Sequence, residues 1–452
     1  MTGFMIALVI LSCILPMGLS PVWNGQMADH RNQYEVLAES FLHGKLYFEY
    51  DVDPRLLAME NPYDNVERDR QEVYYYWDHA FYNGHYYMYF GVAPVLLLFL
   101  PFRALTGHPL TTYHATQIFT ALHILGIFAF FRLLARKFFP DLSRGLYFLL
   151  CTAVSYISVW YAVSTPALYC TAITGALCFG IFSMYAYARA VWDTDNIKNA
   201  TMMAVLGALF GALEFGCRPP IGISNLVALP VFCRLVKKYR NESGLIRAVV
   251  CVALPYIIIG AGLMWYNYAR FGTPFEFGQS YQLTSEDQSA YLDMAGRLNI
   301  AAVLHGFYYY LFNLNTPFHI ISIGLLLSYP VITWSFAGLF ERKLRGKLRE
   351  AGMVPFLAAV NLSIVVIILF DVLWAPHPIP RYRMDFYWLF GISAFIIIGM
   401  RLQNDSRMGL RRAAGFLSLS AILVSIIFAL YPRAGNFTSF YTSEIKAFLG
   451  IL

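Results

Sequence analysis

Apolar residues run along this chain in long blocks, not in the narrow stripes of a soluble helix. Blocks near residues 4–20, 111–134, 145–163, 167–188, 199–216, 220–236, 246–266, 319–340, 352–374, 385–401 and 412–431 are almost free of charge. Each is close to the ~20 residues that carry a helix across a bilayer. They predict about 11 transmembrane helices. A shorter block, Gly91 to Leu105, is interrupted by Pro94 and Pro101 and predicts a helix lying in the interface. The first block lacks a basic lead-in and a small-x-small cleavage site, so a retained helix is expected there, not a leader.

The polar segments between the blocks set the topology. "RLLARK", "RLVKKYR" and "ERKLRGKLR" fall where alternation places them on one side of the membrane. Most of the 33 lysines and arginines gather there, which predicts a cytoplasmic N-terminus and an outward C-terminus. Two long segments then face outward, 21–110 and 267–318, with a short one from Pro376 to Arg383. The expectation is one integral membrane domain over 1–452, multi-pass in the cytoplasmic membrane, followed by no second soluble domain. The fold class expected is an all-α polytopic membrane protein with interface helices in its first outer loop.

Composition agrees. Residues are 58% hydrophobic and 13% charged, with mean hydropathy +0.53. A soluble domain carries about 25% charged residues. The net charge of +6 is explained by the basic inner loops and by anionic lipid headgroups, so nucleic acid is not needed as a partner. All seven cysteines lie in or beside apolar runs without a CxxC pair, and read as small buried hydrophobes.

The first outer loop holds the candidate chemistry. Val36, Leu37, Phe41 and Leu42 mark one face of a short helix that Gly44 would end. Asp29 lies before it, either as a cap or as a carboxylate able to accept a proton. Asp51, Asp53, Asp64 and Asp69 sit among turn signals without EF-hand spacing, so a divalent metal is only weakly supported and no metal site is assigned. Then comes "YYYWDHAFYNGHYYMYF", in which aromatic rings surround Asp78 and Asn83-Gly84 suits a tight turn. An interfacial belt explains many of those rings but not the carboxylate. A wet sugar pocket would use both, with Trp77, Tyr82, His85 and Tyr86 as candidate walls.

Cations cluster on the same predicted side. Glu214 and Arg218 are four residues apart at a helix end and could pair internally. Arg270 follows a span, while Arg381 and Arg383 precede one. Single arginines there contact lipid phosphates; several together suggest a shared phosphate site, because guanidinium stays charged and binds two oxygens. Asp371 and Asp385 flank the last pair and could simply neutralise it.

Asp29 with "YEVLAESFLHGKL", then "WDHAFYNGHYYMYFGVAPVLLLFLPF", "ARKFF", "RPP" and "RFGTPFEFG" resemble the GT-C superfamily of membrane glycosyltransferases, in its family-39 and ArnT-like group. The resemblance covers most of the chain. It implies a polyprenyl-phosphate sugar donor and a lipid, glycan or protein acceptor at the outer face. It further implies an early loop acid as general base, matched by Asp29, with Asp78 second, and direct displacement that inverts the anomeric centre. The more usual Asp-Glu pair is absent, since His30 follows Asp29. The alternatives are a transporter or flippase, and a scaffold without activity. Transport would favour repeats and mid-bilayer charges, whereas no repeat is visible and the charges gather at helix ends.

Overall fold

The computed structural model describes residues 2–18, 32–166, 168–288, 298–313, 323–375, 379–405 and 407–430. The helices that matter here are α1 (Thr2–Met17), α2 (Gln33–Leu42), α3 (Val95–Thr106), α4 (Thr112–Phe138), α5 (Arg144–Ser164), α6 (Leu168–Trp192), α7 (Ile197–Cys217), α8 (Pro219–Lys238), α9 (Leu245–Phe271), α10 (Ile300–Phe312), α11 (Pro330–Phe340), α12 (Val354–Trp374), α13 (Pro380–Leu402) and α14 (Met408–Leu430). Among the described residues nine of them, α4 to α9 and α12 to α14, are long and apolar enough to cross a membrane. The protein is an all-α polytopic membrane protein.

Two predicted spans differ from expectation. The first is a shorter apolar helix of 16 residues, α1. The block at 319–340 is not one helix among its described residues. A short turn at Leu325–Ser328 stops at Tyr329, and Pro330 starts the separate helix α11. Apolar content alone hid that break, because proline cannot donate the hydrogen bond that would carry a helix through. The block Gly91 to Leu105 does form a short apolar helix, α3, as its prolines require.

Helix surfaces follow their surroundings. Every residue of Arg383–Leu402 in α13 is buried except Arg401, and α13 packs against α4, α5, α11 and α12. By contrast α9 packs mainly on α7 and buries only Val252 and a few residues at its far end, leaving Ile257, Ile258 and Trp265 exposed as a lipid-facing surface would be. Basic residues collect at one end of the bundle. There the short helix Arg342–Glu350 buries Leu344 and Leu348, exposes Arg342, Lys343, Arg345 and Arg349, and turns Lys347 to the Met400 and Gln403 carbonyls at the end of α13.

The other end carries segment 32–110. Helix α2 buries Tyr34, Leu37 and Ala38, but Leu42 faces outward, so the apolar face sits one step from the predicted one. Gly44, at φ +73°, ends it, and the Lys45 N–H returns to the Ser40 carbonyl. Thr112, at the start of α4, donates backbone and hydroxyl hydrogen bonds to Glu35, which ties the loop to the bundle.

The aromatic stretch folds as a hairpin, a small β element within the helical fold. Strand β1 (His79–Tyr82) pairs antiparallel with β2 (His85–Tyr87) and with β3 (Gln282–Leu283), giving the order β2-β1-β3. Asn83 and Gly84 make the predicted turn, both with positive φ, 48° and 77°. The sheet thereby joins the two long loops. Of the cysteines, Cys13, Cys151, Cys170, Cys178 and Cys217 are buried, while Cys233 is exposed and Cys251 half-buried.

Candidate functional site

A cavity of about 680 Å³ lies where the hairpin, α7, α8, α9, α12 and α13 meet. Gly91 permits the tightest approach there. A Cβ on it would stand 2.2 Å from the Cys217 carbonyl oxygen and 2.3 Å from that of Gly216. The loop backbone therefore sits directly on the end of α7, one residue before Arg218.

Asp78 forms one wall. It is 2% exposed and adopts φ +64°, a left-handed conformation that costs energy outside glycine and asparagine. The main chain holds it there: its N–H donates to the Leu283 carbonyl at 2.7 Å, and its carbonyl accepts from Gln33 at 2.9 Å. Tyr89 donates to Oδ1 at 3.0 Å, Gln282 also donates to Oδ1, and Tyr169 donates to Oδ2. Burial pushes the Asp78 carboxyl up from its ordinary pKa, while the Tyr169 and Tyr89 hydroxyls, the Arg381 charge and the Gln282 amide pull it back. Three donors leave about one of its four lone-pair sites open.

The arginines form the opposite side. Arg218 donates through Nε and Nη2 to both oxygens of Asp385, at 2.6 to 2.9 Å. Its guanidinium also sits 5.0 Å over the Tyr382 ring. Arg381 lies 5.4 Å over that same ring and 4.1 Å over Tyr169. Arginine and ring thus alternate from Asp385 to Asp78. Among the described residues Arg381 makes no ion pair, and it lines the cavity. The predicted Glu214–Arg218 pair does not form. Glu214 instead accepts from Ser224 at 2.7 Å and Asn225 at 2.9 Å, in the irregular turn within α8.

The other candidates divide. Trp77 and Arg270 also line the cavity. Arg270 spends its donors on the fold: Nη1 to the Met88 carbonyl at 2.6 Å, Nη2 to Asn267 at 2.8 Å and Nε to the Tyr266 carbonyl at 3.3 Å. Arg383 is buried outside the cavity, 5.2 Å over the Tyr309 ring. Tyr82, His85 and Tyr86 do not line it either. Tyr82 packs on Tyr281, His85 stacks on Tyr47 at the surface, and Tyr86 is buried among Tyr76, Phe81 and His79. Asp29 lies outside the described residues.

Sequence reasoning missed Tyr89, Tyr169, Gln282 and Tyr382. Their value lies in contacts between segments far apart in the chain, which no local pattern signals. It also missed the polar wall of Gln279, Thr284, Ser285, Glu286 and Gln288. As for metal ligands, Asp53 and Asp64 cap the short helices Pro54–Ala58 and Asn65–Arg70. Among the described residues no group of three His, Cys, Asp or Glu could hold a metal ion.

No protein-family model matches the chain, and no curated protein matches it. Among solved structures it is similar to the oligosaccharyltransferase of Archaeoglobus fulgidus tethered to an acceptor peptide. That pair has 11% identity and TM-score 0.48, covering 94% of this chain and 54% of the other. The archaeal AglB in complex with an inhibitory peptide and dolichol-phosphate gives 12% identity and TM-score 0.48, over 95% and 56%. ArnT from Cupriavidus metallidurans bound to undecaprenyl phosphate gives 12% identity and TM-score 0.47, over 100% and 73%. The chain spans about half the length of the oligosaccharyltransferase chains it aligns with.

Proposed function

We propose that this protein transfers a sugar from a polyprenyl-phosphate donor to a lipid, glycan or protein acceptor, with the loop-bearing end facing out of the cytoplasm. The reading rests on the cavity's own chemistry. The carrying observation is the convergence of Arg381, Arg218 and Asp78 on one cavity at the end of a membrane bundle.

Arg381 takes the donor phosphate, since its guanidinium lies against the Tyr169 and Tyr382 rings and among the described residues makes no ion pair. Arg218, already committed to Asp385, adds field but fewer free donors. Charge building on the leaving phosphate is stabilised by these fixed cations. Asp78 accepts a proton from the acceptor hydroxyl as that oxygen attacks the anomeric carbon. Its raised pKa suits a general base better than an ordinary aspartate. Asp29 is the second candidate for that role. Attack opposite the leaving phosphate inverts the anomeric centre.

The test is mass spectrometry of lipids extracted from gently purified protein, beside Arg381→Ala. A polyprenyl phosphate or its glycoside, present in the native protein and lost in the variant, is the expected result. Ordinary phospholipids bound equally to both proteins would overturn the donor assignment.

A further inference from the structure

A second cavity, of about 410 Å³, lies at the basic end of the bundle and shares no lining residue with the first. Its walls come from the first turns of α7, the last turns of α8 and the first half of α9. Arg234, near the end of α8, donates to the Gly352 carbonyl at 3.1 Å, just beyond the basic helix Arg342–Glu350. Helix α9 packs mainly on α7, which leaves the cavity between α8 and α9 with α7 as its floor. Small side chains make the room: Ala200 and Ala204 on α7, Ala248 and Ala253 on α9. Val236, Val249 and Ile257 line it too and are exposed, so it opens on the surface that faces lipid.

The lining is almost wholly apolar. The Thr201 hydroxyl donates to the Ile197 carbonyl at 2.7 Å, the Tyr256 hydroxyl donates to Asn225 at 2.7 Å, and the Tyr239 hydroxyl is buried in the wall. A cavity without polar partners is a poor place for water and a good one for hydrocarbon. Along α9 the lining runs from Leu245 to Ile257, a rise of about 18 Å. Half of a bilayer's hydrocarbon core is about 15 Å, so the cavity has the length of an acyl chain from one leaflet.

The mouth is basic. Lys198 adjoins Ile197, Lys237 adjoins Val236, Lys238 and Arg240 flank Tyr239, and Arg247 falls between Leu245 and Ala248. All five cations are exposed. Asp195 and Glu242 share this rim, while Asp193 pairs with Arg189. Cations therefore exceed free carboxylates at the level where a phospholipid phosphate sits. We infer that this cavity holds one acyl chain of an anionic phospholipid, with its phosphate met by the cations at the mouth. The site stands apart from the donor reading above and does not depend on it.

The experiment reconstitutes the full-length protein in vesicles of equal phosphatidylglycerol and phosphatidylethanolamine, extracts it in mild detergent, washes it, and weighs the retained lipid by mass spectrometry. Native protein is expected to retain phospholipid with phosphatidylglycerol enriched about fivefold or more, the value of one engaged cation. Lys198→Gln with Arg247→Gln is expected to keep the lipid and lose most of the enrichment. Ala253→Phe is expected to lose the lipid by filling the cavity. Val236→Trp, at an exposed wall position, fills it from the other side and decides the matter if Ala253→Phe does not fold. Thermal unfolding in detergent checks each variant. Retained lipid in the proportions supplied, which is annular lipid only, overturns the inference. So does native protein that retains no phospholipid, or folded cavity-filled variants that retain as much phosphatidylglycerol as the native protein.

Discussion

Two buried carboxylates face one cavity and are treated oppositely. Asp78 is held by three side-chain donors, two main-chain bonds and a strained backbone. Asp371, near the end of α12, lines the same cavity, and among the described residues its Oδ2 has no hydrogen-bond partner. The first is a group whose position has been fixed in advance of any ligand. The second is positioned by its helix, without donors to its Oδ2 among the described residues. The contrast separates a carboxyl preorganised by donors from several segments from one that only burial and its helix hold in place.

Asp78→Asn breaks that comparison hardest. It keeps the shape and much of the bonding but removes the proton acceptor. Transfer is expected to fall by about 10²–10⁴-fold, with undecaprenyl phosphate binding retained, measured as glycolipid product formed per minute. If Asn at 78 transfers normally while Asp29→Asn does not, the base is Asp29 and Asp78 is an organiser.

Next comes Arg218→Met, aimed at the only buried ion pair of the site among the described residues. It strands Asp385 without its cation, and stability is expected to drop by about 3–5 kcal/mol. Thermal unfolding in detergent measures this. A variant as stable as the native protein would mean that Asp385 takes up another partner.

Tyr89→Phe sharpens the account of Asp78. The hydroxyl favours the charged carboxylate, and burial already holds the pKa up. Removing the hydroxyl raises that pKa further, so the base is protonated at a higher pH. The acid limb of the transfer rate is expected to move to higher pH, with the plateau rate little changed. A limb that stays in place separates Tyr89 from the titrating group. The smallest effect is expected for His85→Ala, which alters only a surface stack on Tyr47. Transfer should be unchanged, and stability should stay within about 0.5 kcal/mol. A loss of transfer would bring the hairpin's outer face into acceptor binding.

Much of this was legible in the chain. Long apolar blocks give away helices because lipid demands them, and Asn83-Gly84 gives away its turn because few residues tolerate positive φ. Arg218 and Arg381 stand out in the sequence as charges near helix ends, and Asp78 as a carboxylate among rings in the first outer loop. The pairing was not legible. Spacing of four made Glu214 the obvious partner of Arg218, but Arg218 lies just past the end of α7 with extended backbone, and its side chain turns to Asp385, 167 residues away. Tyr82, His85 and Tyr86 were counted with Trp77 by composition. The hairpin then sent them to other surfaces, and β3, which settles the hairpin's position, comes from the second loop.

Helix α13 has a consequence for biogenesis. It carries Arg381, Arg383 and Asp385 near its start and surrounds nearly all its surface with protein. Its mean hydropathy, 1.4, falls below the 2.2 of lipid-facing α9. A segment of this kind gains little from lipid and much from neighbours already in place. During synthesis it follows α4 to α9 and α12, so it enters a partly built bundle as a central element, with α14 still to pack on α5. Substitutions at Arg218 therefore act before any substrate arrives: they alter the socket that receives α13.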